Sequence, residues 1–274
     1  MNRITTEINI GGIELFRLLQ ISDTHLTLAD GREIQRKLDL AAKRYPSFST
    51  AENDLREAEN IAKETGAIMV HTGDIIDFVS YANLERVKKF VDKTDCFVAA
   101  GNHEFSLFVG EAFEDAEYRN QSLERVQEAF RNDIRFSSKK VNGVNLIAID
   151  NSYYRFEPFQ LQALKAEASL NMPIILLFHT PLYEPDLYKK KMMRADCAYL
   201  VSTPTELMTA YTDNQFKQQL ADEITLEATE YIKQEPLIKA IFCGHLHFDY
   251  EGKVTDCLPQ YVTGKNTARE IIIK

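Results

Sequence analysis

The chain has 274 residues, of which 45% are hydrophobic and 27% charged, with a formal net charge of −9. This is the composition of an ordinary globular chain of one large domain, and residues 1–274 are read as one domain. The acidity excludes a broad electrostatic affinity for nucleic acid or anionic lipid, so an anionic substrate needs a local positive centre such as bound cations supply.

Met1 to Glu7 lacks the apolar core of a signal peptide, and no apolar run is long enough to span a bilayer, so a cytoplasmic protein without membrane contact is expected. Ile4 to Ile10, turning at Gly11-Gly12 into Ile13, reads as a hairpin. Leu15 to Ile21 reads as a strand ending at Asp23-Thr24-His25, and Asp30-Gly31 as a turn. Leu55, Ala58, Ile61 and Ala62 recur at helical spacing within Ala51 to Thr65, and Gly66 stops that helix. Ala67 to Val70 is a short strand delivering Gly73-Asp74; Leu84 to Val91 is helical; Cys96 to Ala100 is a strand delivering Gly101-Asn102-His103-Glu104. Val144 to Ile149 is a buried strand ending at Asp150, and a helix runs from Pro158 to about Leu170, proline suiting its first turn. Pro173 to Phe178 leads into His179, and Ala240 to Cys243 into Gly244-His245-Leu246-His247. His247 to Val254, Pro259 to Val262 and Ala268 to Ile273 are short, β-like and close the sheet. Residues 182–236 exceed what one crossover helix needs and read as a helical embellishment near the site mouth. The cysteines, Cys96, Cys197, Cys243 and Cys257, show no C-x-x-C pair and no zinc spacing; Cys96 and Cys243 read as buried thiols.

Strand–helix alternation argues for an α/β layered fold, and each motif falls at a strand's carboxyl end, where ligand sites of open sheets collect. Five of the six histidines lie in those motifs; His71, after Ile68-Met69-Val70, reads as a core residue. In extended chain, residues i and i+2 point the same way, so Asp23 and His25 can grip one ion and His245 and His247 two neighbouring ones. Asp74 can bridge both ions, Asn102 offers an amide oxygen and His179 another imidazole, while Gly73 and Gly244 remove a Cβ beside the ligands. A donor set of nitrogen and oxygen suits manganese, iron, zinc or nickel. Two such ions, roughly 3.5–4 Å apart, would clamp a phosphate and activate water for in-line attack.

The ordered set D-x-H, G-D, G-N-H-E, H, G-H-x-H, from Asp23 to His247, resembles the calcineurin-like metallophosphoesterase family. The resemblance implies a four-layer α/β/β/α sandwich of two mixed sheets flanked by helices. It implies one metal on Asp23, His25, Asp74 and His247, and a second on Asp74, Asn102, His179 and His245. His103 would contact phosphate and protonate the leaving oxygen, and Asp77 would be the acidic residue orienting it; helix capping is the competing reading of Asp77. The implied activity is dinuclear metal-dependent hydrolysis of a small phosphodiester or phosphomonoester by attack of a metal-bridging hydroxide. The serine/threonine phosphatase branch places arginines where this chain has Phe78 and Ala100, and purple acid phosphatases place a tyrosine near His25. Both are disfavoured, and the pattern is most similar to small bacterial phosphodiesterases, which often carry aspartate instead of Glu104. A non-catalytic scaffold is the contrasting possibility, although no motif residue is missing. Lys189 to Lys191 reads as a solvated helix face with a phosphate grip as its alternative, and Tyr153, Tyr154 and Phe156 as loop packing or a pocket wall.

Overall fold

The computed structural model describes residues 1–110 and 115–274, and among these eleven strands form two sheets. They are β1 (Asn2–Ile8), β2 (Phe16–Ile21), β3 (Ile68–His71), β4 (Phe97–Val98), β5 (Phe136–Val141), β6 (Val144–Ile149), β7 (Ile174–Leu177), β8 (Ile238–Cys243), β9 (Tyr250–Thr255), β10 (Leu258–Val262) and β11 (Thr267–Ile273). The five-stranded sheet has the order β1-β11-β2-β3-β4 and the six-stranded one β5-β6-β7-β8-β10-β9. Both mix parallel and antiparallel pairs.

Period-two alternation sorts the apolar side chains between layers. Phe16, Leu18, Val70 and Phe97 face the other sheet, meeting Leu146, Ala148, Ile175, Leu177, Ala240 and Phe242. Their neighbours Leu19, Ile21, Met69 and Val98 face outward, onto Leu55, Ala58 and Ile61 of α2 (Ala51–Thr65) and Val87, Phe90 and Val91 of α3 (Tyr81–Thr94). The helix α1 (Gln35–Arg44) precedes these, and the short α4 (Ala116–Asn120) and α5 (Leu123–Gln127) follow. On the opposite face, Ile147, Ile149, Leu176 and Ile241 pack on Leu161 and Leu164 of α6 (Pro158–Ala168). Leu187 of α7 (Pro185–Met192) and Ala228 and Ile232 of α9 (Glu223–Gln234) join that cluster, with α8 (Asp213–Gln219) between them in the chain. The result is the four-layer α/β/β/α sandwich. Residues 182–236 thus supply α9 to the outer layer as well as the segments around α7 and α8. No helix among the described residues is long and apolar enough to cross a membrane.

The ends of the chain depart from expectation. β1 and β2 form no hairpin: β11 lies between them, parallel to β1 and antiparallel to β2. Gly11 and Gly12, at φ 75° and 70°, carry the chain past the end of β11, where the Ile10 and Gly11 N–H groups donate to the Lys274 carbonyl. The apolar Ile271 and Ile273 are fully buried, whereas β1 exposes Asn2, Arg3, Thr5 and Glu7, so the more apolar strand takes the interior position. The last three strands likewise do not close one sheet. β9 and β10 form an edge hairpin of the six-stranded sheet, and β11 crosses to the other.

A buried polar brace fixes one sheet against the other. Gln20 donates from Nε2 to Thr72 Oγ1 and to the Cys243 carbonyl, both at 2.9 Å, and accepts from Thr263 Oγ1 at 2.7 Å. Thr263 Oγ1 in turn accepts from Arg269 Nε at 2.9 Å, and the fully buried guanidinium also reaches Thr6 and Glu251. These bonds satisfy groups that would otherwise be costly to bury. They also hold the strand ends that carry Asp23 and Asp74 opposite those that carry His179 and His245.

Candidate metal centre

All seven residues proposed as ligands converge where the two sheets meet. Three groups have ligand atoms within 4.8 Å of one another: Asp23, His25 and His247; His25, Asp74 and His103; and Asp74, His179 and His245. Asp74 joins the last two. Its Oδ2 is 3.6 Å from His25 Nε2 and 3.2 Å from His179 Nε2. His247 Nε2 is 3.3 Å from Asp23 Oδ1 and 3.1 Å from His25 Nε2, and His245 Nδ1 is 3.1 Å from His179 Nε2. Asn102 is buried with Oδ1 unpartnered by any described residue. A buried acceptor left without a donor, beside imidazole nitrogens turned on one another, is what a cation would satisfy. The donor set therefore fits metal.

The backbone route differs from the extended geometry expected. Asp23, His25, Asp74, His245 and His247 all have positive φ, between 51° and 70°. Each left-handed residue costs on the order of 1 kcal/mol, so the turns are held by other bonds. The Asp23 N–H donates to the Gly73 carbonyl at 3.0 Å and the His25 N–H to the Asp74 carbonyl at 2.9 Å, stitching the first two motifs together. The His245 N–H donates to Asp23 Oδ2 at 3.0 Å, joining the fourth motif to the first. At Gly73, with φ 93°, a Cβ would lie 2.6 Å from both Gly101 N and His179 Nδ1. At Gly244 it would lie 2.6 Å from Asp23 Oδ2 and collide with Ser22. Only glycine fits either place.

The acidic and imidazole groups of the cluster strongly set one another's charge. Burial opposes charge on His179, yet Asp74 and Asp23 push it up to about 10. Burial would raise Asp23, but the hydrogen bond and charge of His247 hold it below the usual range, and Asp74 is likewise held well down by His179 and His103. The positive charge that keeps these two buried carboxylates ionised comes from the imidazoles packed beside them.

His103 is set by Asp77, but through the main chain. Its Nδ1 donates to the Asp77 carbonyl at 2.7 Å, while the Asp77 carboxylate is 3.4 Å away. That carboxylate is gripped in two-pronged fashion by Arg44, Nε at 2.7 Å and Nη2 at 2.8 Å, and stands 3.2 Å from His25 Nδ1. Asp77 caps no helix, since Ser80 accepts from the Asn83 N–H at the start of α3. His71 is fully buried, its Nδ1 accepting from the Gly73 N–H, so it is a core residue beneath the site. Asn151, just after β6, brackets Thr180 with its amide, giving at 2.8 Å and receiving at 3.0 Å, next to His179.

Two further residues, Arg44 and Phe48, join the site, and Tyr154 and Glu104 take specific roles in it. Arg44 and Phe48 come from the polar segment around α1, and Phe48 stacks on His25 with centroids 4.2 Å apart. Tyr154, read as loop packing or a pocket wall, lines the cavity and brings its hydroxyl to 3.1 Å from His245 Nε2. Glu104 accepts the N–H groups of Gly101, Asp74 and Ile75, each at 2.7 Å. The sequence marks none of these roles, because each rests on a contact made across the fold. Phe78 and Ala100 are fully buried, so neither position presents anything to a substrate.

Known proteins fit this architecture. The family model described as calcineurin-like phosphoesterase matches residues 16–249. Among curated proteins nothing matches the chain. Among solved structures the fold is similar to a dimetal phosphatase from Danio rerio, with a TM-score of 0.56 at 14% identity over 91% of this chain and 87% of that one. Weaker likenesses include a phosphopantetheinyl hydrolase from Mycobacterium tuberculosis (TM-score 0.44, 12% identity, 90% and 89% covered). Another is a 5'-nucleotidase from Candida albicans (TM-score 0.43, 15% identity, 91% and 46% covered). At 14% identity the first of these bears on fold alone, and the two weaker likenesses add nothing to it. The family match covers most of the chain, motifs included, and the chain belongs to the calcineurin-like phosphoesterase family, enzymes that hydrolyse phosphoric esters.

Proposed function

We propose that the chain hydrolyses a small phosphodiester or phosphomonoester at a pair of metal ions. Asp23, His25, Asp74 and His247 would hold one ion, and Asp74, Asn102, His179 and His245 the other. Bound there, the ions would supply positive charge for the phosphate oxygens and lower the pKa of water. The observation that carries this reading is the carboxylate of Asp74, its Oδ2 3.6 Å from His25 Nε2 and 3.2 Å from His179 Nε2, together with the buried, unpartnered Oδ1 of Asn102.

The chain's own residues do the rest. Since a carbonyl only accepts, His103 Nδ1 carries the hydrogen bonded to Asp77, which leaves Nε2 as the nitrogen that hands a proton to the departing alkoxide. Arg44 keeps the Asp77 loop in place, and Phe48 covers the outer face of His25. Asn102 and His103 line a cavity of about 550 Å³ with room for a small organic ester.

The test is hydrolysis of bis(p-nitrophenyl) phosphate and p-nitrophenyl phosphate, with manganese and with chelator. Turnover that chelation abolishes and metal restores is expected, and the rate ratio separates diesterase from monoesterase. A folded chain carrying two metals yet inert toward both would be the non-catalytic scaffold.

A further inference from the structure

The three lysines at 189–191 go separate ways. Lys189 is exposed and pairs with Asp186 at 3.0 Å. Lys190 lies over the rings of Phe248 and Tyr250, at 5.0 and 5.1 Å, and donates to the Asp249 carbonyl at 3.2 Å. Lys191 instead lines the cavity that opens on Asp74, His103 and His245, together with Tyr154 and Tyr199. Its ammonium is 5.2 Å from the centre of the Tyr199 ring, and that ring stands edge-on to His245 at 6.1 Å.

Among the described residues no carboxylate acts on Lys191, although the chain carries 41 acidic residues. Burial holds its pKa below the ordinary lysine range, and Arg194 adds to this. A half-buried cation with no carboxylate partner, lining a cavity, is a ready contact for an anion that enters. The reacting phosphate belongs beside Asp74 and Asn102. Lys191 lines the same cavity beside Tyr199, near enough for its charge to bear on His245.

We infer that Lys191 is a specificity-determining residue that binds a second anionic group, a carboxylate or phosphate on the alcohol portion of the ester. The inference rests on the phosphohydrolase reading above and names its substrate class: small phosphoesters of anionic alcohols. Tyr154 and Tyr199 form the wall along which the linking carbons lie.

Glycerol 2-phosphate and glycerate 2-phosphate share one phosphate linkage and differ by a carboxylate, so they are the probes. Their inhibition constants are measured against whichever p-nitrophenyl ester the manganese-loaded chain hydrolyses. Glycerate 2-phosphate is expected to bind about tenfold more tightly or better, a charged hydrogen bond's worth. Lys191→Ala should bring the ratio close to one, Lys191→Arg should keep a preference, and Lys189→Ala should leave the ratio unchanged. Equal inhibition of the unaltered chain, inhibition by neither compound, or a preference that survives Lys191→Ala overturns the inference. Failure to hydrolyse either p-nitrophenyl ester strikes the phosphohydrolase reading instead.

Discussion

The Glu104 carboxylate accepts the backbone N–H of Asp74 at 2.7 Å from thirty residues away. The same oxygen takes the Gly101 N–H, and the other oxygen takes those of Ile75, at 2.7 Å, and Ile76, at 3.3 Å. Glu104 is fully buried, so one side chain holds both the second and third motifs in place, including the left-handed turn at Asp74. Glu104→Gln keeps the size but replaces one acceptor oxygen by an NH₂ group, stranding buried N–H donors. It should destabilise the chain by about 2–4 kcal/mol and lower its metal content. Thermal melting and elemental analysis check this; an unchanged melting temperature with full metal would show that the clamp is dispensable.

The contrast between Glu104 and Arg44 shows what can be read from residues alone. Glu104 sits inside a motif, so its presence was noted even though its task was not. Strand ends, glycines and motif histidines were legible because β propensity, turn geometry and metal chemistry are local properties. Arg44 lies in a polar stretch with no feature of its own, and its partner Asp77 is 33 residues away. The pairing of β1 with β11 was missed for a related reason. Gly11-Gly12 marks a change of direction equally well for a hairpin and for a step across an intervening strand, and only burial of the final isoleucines decides between them.

Arg44 makes the second prediction. Burial alone would raise the Asp77 carboxyl, but the Arg44 and His25 contacts bring it down to about 2 from 3.8. A folded-state value below the unfolded one means the charged carboxylate contributes stability above pH 3.8, and loses it as pH falls toward 2. The contribution is about 2 kcal/mol. Arg44→Met keeps a side chain over Phe48 but removes the guanidinium. Denaturant unfolding of the metal-free chain should show the variant weaker near pH 7, with the gap closing between pH 4 and 2. A gap independent of pH would mean that Arg44 acts by packing only.

The third concerns His103. If its Nε2 protonates the leaving oxygen, His103→Ala should leave metal content intact and slow turnover of an alkyl phosphoester by roughly 10²–10⁴. A p-nitrophenolate departs with little help, so the loss should be smaller for p-nitrophenyl esters. Equal losses for both leaving groups would instead indicate that the imidazole serves to bind phosphate.

Tyr154 and His245 give the last. His179 Nδ1 donates to the Thr72 carbonyl at 2.7 Å, so its Nε2 is the nitrogen facing Asp74. The corresponding bond for His245 is that of Nε2 with the Tyr154 hydroxyl, which leaves Nδ1 on the side of His179. A hydrogen bond on the far nitrogen fixes which tautomer a ligating imidazole presents, and losing it typically weakens a metal site 10–100-fold. Tyr154→Phe removes the hydroxyl and keeps the ring. In a calorimetric manganese titration, the site built on Asp74, Asn102, His179 and His245 should weaken by about tenfold. The proposed site on Asp23, His25, Asp74 and His247 should weaken much less, because Tyr154 makes no such bond to any of its residues. Unchanged affinities at both sites would reduce Tyr154 to a cavity wall, while equal weakening of both would mean that the substitution disturbs the fold around the centre and not one ligand.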